Sequence, residues 1–127
     1  MKALEALKSK RTAAAALRKH PLYRVSHQWL DACNLAMTRR IAEKIQKKPE
    51  LMNIARDNLR RWKKIRCPWP PALREWEQIL ARNTDEDILA ILTQDNDEGQ
   101  RLRQSDPFVG ILTEKERMWF LDNYEPD

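Results

Sequence analysis

Prolines frame this chain. Pro21, Pro49, the cluster Pro68, Pro70 and Pro71, and Pro107 all fall between periodic segments. A proline lacks the amide proton that a helix interior needs, and its ring clashes with the preceding turn. Helices therefore start or stop at these points. Only two glycines, Gly99 and Gly110, are present, and a strand-rich fold needs more for its turns. The stretches between prolines are dominated by Ala, Leu, Arg, Lys, Glu and Gln, all strong helix formers. The fold class expected is all-α: one compact domain of 127 residues, a bundle of five to seven helices, long at the N-terminal end and shorter toward the C-terminal end. A chain of this size buries roughly two-thirds of its unfolded surface, enough to fold unaided.

Within that frame, residues 2–19 read as an Ala-, Lys- and Arg-rich helix with a weak stripe of Leu4, Leu7, Ala14 and Leu17. A long helix is expected over 22–47, where Leu30, Cys33, Met37, Ile41 and Ile45 advance by three or four, flanked by Trp29 and Ala36. Pro49 suits the first turn of the next helix. The apolar face of that helix is Leu51, Ile54, Ala55, Leu59, Trp62 and Ile65. Residues 66–70, Arg-Cys-Pro-Trp-Pro, cannot continue a helix. A helix resumes over 71–82 with Leu73, Trp76, Ile79 and Leu80. Thr84 can cap a short one whose first turn holds Asp85, Glu86 and Asp87. Another covers 96–104, and Thr113-Glu114-Lys115-Glu116 has the capping-box pattern that opens a last helix. The expected core draws on Trp29, Met37, Ile41, Ile54, Trp62, Trp76, Ile88, Leu92, Phe108 and Trp119.

Charge divides the chain a second way. Residues 1–66 hold 18 Lys and Arg against 5 Asp and Glu, a net of +13. Residues 67–127 hold 6 against 14, a net of −8, and the two halves together give the chain its +5. The boundary coincides with the break at 66–70. Such asymmetry points to polyanion binding by the basic half. The sharpest signal is the third expected helix, where Arg56, Arg60, Lys63 and Lys64 fall on one side and Arg61 borders them. Lys44, Lys47 and Lys48 lie just upstream, with Arg39 and Arg40 one to two turns earlier. Phosphate contacts by such a set gain affinity through counterion release and need no sequence readout. A solvated face, or a surface for an acidic protein or for the chain's own acidic half, would use the same residues.

Chemistry is harder to find. His27 and Asp31 stand one turn apart, but His27 and Cys33 are six apart and fall on different sides of a helix, so no nucleophile–base pair forms. Two histidines and two scattered cysteines do not give zinc spacing. In Asp95-Asn96-Asp97-Glu98-Gly99, placing Gly99 sixth in a calcium loop would make Gln94 first and Ser105 twelfth, neither of which fits. No Gly-rich phosphate loop occurs. The expectation is a protein with no catalytic residue, no metal and no cofactor. The N-terminal segment turns to charge before an apolar secretory core forms, and no run approaches a membrane span. A cytoplasmic setting with reduced thiols follows.

A protein partner has its own candidates. Trp69 sits between prolines and is expected to be exposed; Arg101 and Arg103 precede the apolar stretch that holds Phe108. Two stretches, TRRIAEKIQKKPELMNIARDNLRRW (38–62) and DEGQRLRQSDPFVGILTEKER (97–117), resemble small all-α bacterial proteins that act as antitoxin-like partners of toxin genes. That resemblance implies a regulatory role in which one part binds DNA and another occupies a partner protein. It departs from many antitoxins in that the acidic half reads as folded and carries tryptophans. The function expected is non-enzymatic binding of DNA or RNA, with a basic protein partner and a homodimer as further possibilities. The alternative is a protein–protein adaptor using the acidic half without nucleic acid.

Overall fold

The computed structural model describes residues 23–125. The helix expected over 2–19, and His20, lie outside them. The described residues form six α-helices: α1 Tyr23–Lys47, α2 Met52–Ile65, α3 Pro71–Arg82, α4 Asp85–Leu92, α5 Asp97–Arg103 and α6 Glu114–Asn123, with a 3-10 turn over Pro49–Leu51 and no strand among them. The all-α class is as expected.

Helix ends follow local chemistry closely. Pro70 stands at the α3 N-cap in an extended conformation and Pro71 opens the helix, a place where the missing amide proton costs nothing. The Thr84 hydroxyl accepts from the Asp87 amide at 3.2 Å. The expected capping box forms in full: the Thr113 hydroxyl accepts from the Glu116 amide at 3.1 Å, and the Glu116 carboxylate accepts from the Thr113 amide at 3.0 Å. Asn96 caps α5 by accepting from the Gly99 amide at 2.8 Å. One start is displaced. Pro49 opens the 3-10 turn rather than α2, because the Leu51 amide bonds to the Lys48 carbonyl at 3.0 Å before the α-helical pattern begins at Met52.

By internal packing the chain divides into two units, with boundaries at 37/38 and 111/112. The charge boundary at 66–70 falls inside the larger one, Thr38–Ile111. Trp76 is the centre of that unit's core. It is fully buried, its indole N–H donates to the Leu102 carbonyl at 2.9 Å, and its ring meets Phe108 edge-on at 5.7 Å. Ile45, Met52, Ile88 and Leu92 are also fully buried in this unit. Asn58 is 4% exposed on the inner side of α2. Its Nδ2 donates to the carbonyls of Pro107 and Val109 at 2.8 and 2.7 Å, while Lys44 Nζ donates to that of Ile111 at 2.8 Å. Three alternating carbonyls of the 107–111 loop, the first buried and the other two partly so, are thus satisfied by side chains. Gly110 turns the loop at a φ of +98°, where side chains are strained.

The second unit comprises, among described residues, 23–37 and 112–125. Here the Trp29 indole N–H donates to the Tyr124 carbonyl at 3.0 Å, and the two rings meet edge-on at 6.1 Å. Cys33 is buried, its Sγ lies 3.8 Å from the Phe120 carbonyl, and burial pushes its thiol up to about 11. Cys67 is exposed, and both thiols are free.

The core expectation needs correction at one end. Ile41, Trp76, Ile88, Leu92 and Phe108 are buried, and Trp29, Met37, Ile54 and Trp62 are half-buried. Trp119 is 58% exposed. Its ring stands edge-on against Phe120, on a helix with no fully buried residue. Among the described residues no helix is long and apolar enough to cross a membrane.

Candidate nucleic-acid interface

Helix α2 has two chemically distinct sides. Met52, Ala55, Asn58 and Leu59 are buried. Arg56, Arg60, Lys63 and Lys64 come round on another face, four, three and one residues apart, as the helical period dictates. These four side chains line a cleft of about 490 Å³. Leu59 joins them from α2, and α3 contributes Glu77, Leu80 and Ala81. The site is therefore a trough with a cationic rim on one helix, an apolar floor, and a single carboxylate on the facing helix.

Acidic neighbours temper the rim. Lys63 Nζ is 3.0 Å from Glu77 Oε2 and lies 5.7 Å over the Trp69 ring. Arg56 is 3.6 Å from Asp85 and Arg60 is 2.9 Å from Asp57. Lys64 has no ion-pair partner among the described residues. Exposed pairs of this kind contribute roughly 0–1 kcal/mol each, so an incoming polyanion can displace them at small cost.

The remaining basic candidates stand apart from the cleft. Arg61 is exposed on the neighbouring side of α2 and donates to Asn58 Oδ1 at 2.7 Å. Lys44 commits its ammonium to the Ile111 carbonyl. Arg39 lies 3.9 Å from Asp95 and Arg40 3.2 Å from Glu43. Lys47 and Lys48 are exposed at the end of α1. None of these six lines the cleft. The α2 set converges, whereas the α1 set does not join it there.

Three of the four partner candidates are corrected. Arg103 is 8% exposed, and its guanidinium donates to the carbonyls of Leu92 and Gln94 at 3.1 and 2.6 Å, so it stitches the α4–α5 connection from inside. Phe108 is buried against Trp76. Trp69 is half-buried rather than exposed, and its Nε1 is enclosed without a hydrogen-bond partner among the described residues. Arg101 is exposed but engaged. It grips Glu75 with two bonds of 2.9 Å and also bonds Glu98, tying α3 to α5. Those bonds hold both carboxyls below the usual carboxylate range and raise the guanidinium.

Sequence reasoning missed the far wall. Leu80 was legible as apolar, but nothing in the spacing shows that Glu77, Leu80 and Ala81 face the cations of α2. Asn58 was also missed, since a lone polar residue beside an apolar stripe reads as an interruption. Among the described residues no group of three or more His, Cys, Asp or Glu could hold a metal ion. No family model, no curated protein and no solved structure matches this chain.

Proposed function

We propose that this chain is a non-enzymatic regulatory protein that binds nucleic acid through the exposed face of α2, with Arg56, Arg60, Lys63 and Lys64 meeting phosphates. The observation that supports this reading most is that four cations, spaced for one helical face, line a single cleft. Lys64 is immediately available; the others exchange weak surface pairs for phosphate contacts, releasing counterions from the nucleic acid. A cytoplasmic setting and an antitoxin-like role, with a protein partner beside the nucleic acid, belong to the same proposal. The adaptor alternative is weaker, because Arg103 and Phe108 are occupied inside the larger unit.

The test is a salt titration of binding to short DNA and RNA. With Lys63 also held by Glu77, three to four phosphate contacts should give a slope of about −2 to −4 in log affinity against log salt. Arg60→Glu with Lys64→Glu should weaken binding by about a hundredfold at low salt, for all sequences alike, and leave the helical content unchanged. Affinity indifferent to salt, or to this double reversal, would reject the proposal.

A further inference from the structure

We infer that the α2–α3 cleft takes a single strand of nucleic acid rather than a duplex, a reading that rests on the proposed function and narrows it. A helix that reads a duplex enters the major groove, about 12 Å wide, with its reading face clear of neighbouring elements. The cationic face of α2 is not unobstructed, since Glu77, Leu80 and Ala81 of α3 wall the same cleft. An α2 rail with α3 side chains along the same cleft is poorly placed to sink into a groove.

The cleft's chemistry fits the other form. Between the charges the lining is apolar: Ala81 is exposed, and the edges of the nearly buried Leu59 and Leu80 reach the cleft. A duplex hides its base faces in the stack and offers that floor nothing but phosphates. An unpaired base has a free face that apolar and aromatic side chains can cover, while a basic groove tracks the backbone. Glu77 sorts the two components. A carboxylate on the α3 wall repels phosphate, so the sugar–phosphate chain keeps to the α2 rim and the bases turn toward α3. Lys63, held between Glu77 at 3.0 Å and the Trp69 ring, marks the divide. Arg56, Arg60 and Lys64 remain for the backbone. At about 490 Å³ the cleft lies within the roughly 300–1,000 Å³ typical of ligand sites.

The experiment uses the full chain and labelled 12-residue oligonucleotides, followed by fluorescence anisotropy at constant salt. The single strand should bind about tenfold more tightly than the duplex of the same sequence. Ala81 is exposed in the cleft, so it can be changed without disturbing the core. Ala81→Trp adds a stacking surface and should raise single-strand affinity severalfold without changing duplex affinity; Ala81→Glu should abolish the single-strand preference. Equal or tighter duplex binding overturns the inference while leaving nucleic-acid binding intact. Displacement of the oligonucleotide by polyglutamate as readily as by unlabelled strand overturns both, since a charge-only cleft for an acidic protein would behave that way. No binding to either form at low salt also overturns both.

Discussion

At the scale of the residue, Asp106 carries an energetic penalty that its neighbours only partly relieve. Its Oδ1 accepts from the Phe108 amide at 2.9 Å. Burial pushes its carboxyl up to about 6, against the smaller opposing effects of that bond and of Arg103. The folded chain therefore holds this proton more tightly than the unfolded chain does. Stability from this group is greatest in acid and falls as pH rises from about 4 through 6, by at most about 3 kcal/mol. Asp106→Asn keeps the acceptor and removes the charge. Its urea midpoint should exceed that of the parent at pH 7.5 and approach it at pH 4; an equal gain at both would place the effect elsewhere. None of this was legible from sequence, where Ser-Asp-Pro reads only as a helix stop. Arg103 was opaque for a similar reason. A charged residue is expected outside until two backbone carbonyls, here those of Leu92 and Gln94, are seen converging on it.

At the scale of the element, local rules carried far. Prolines and capping hydroxyls placed the starts of α3, α4 and α6, because those signals act over a single turn and owe nothing to the rest of the fold. Gly99 shows where such reasoning ends. In sequence it invites a calcium-loop reading; in the structure it lies in α5 against the backbone of Gln94, and a Cβ there would collide with that carbonyl. The same carbonyl receives Arg103. Gly99→Ala, ordinarily a stabilising change inside a helix, should here cost about 2 kcal/mol or more, since backbone rather than a flexible side chain must yield. A chemical denaturation midpoint at or above the parent's would contradict that close approach. Trp119 is the reverse case. Its apolar character suggested burial, but α6 buries no residue fully, and the ring is left in solvent.

At the scale of the molecule, charge and packing follow different boundaries. The basic and acidic halves meet at 66–70, whereas the compact units meet at 37/38 and 111/112. Charge asymmetry was plain in the sequence because it needs only counting. The cleft was half legible: helical spacing gave its cationic rim, but its apolar floor and α3 wall depend on tertiary placement. The two free thiols report on separate units. Cys67, exposed in the larger one, should react with a thiol reagent at once. Cys33, buried in the other and with its thiol raised to about 11, should react only when that unit opens. The described part of its unit includes α6, which has no buried side chain. Cys33 labelling should therefore give an opening free energy below the global value from urea unfolding followed by circular dichroism. Identical values would mean that the whole chain opens as one.

The twin bonds from Asn58 to the carbonyls of Pro107 and Val109 brace the inner side of α2 against rolling about its axis. On the proposed function, the stretch of α2 backbone that carries Arg56, Arg60 and Lys64 is thereby held in place before nucleic acid arrives. Association then behaves as docking onto a preset rail: in rapid mixing, the observed rate climbs in proportion to oligonucleotide concentration, without the plateau that a prior rearrangement of the protein would impose.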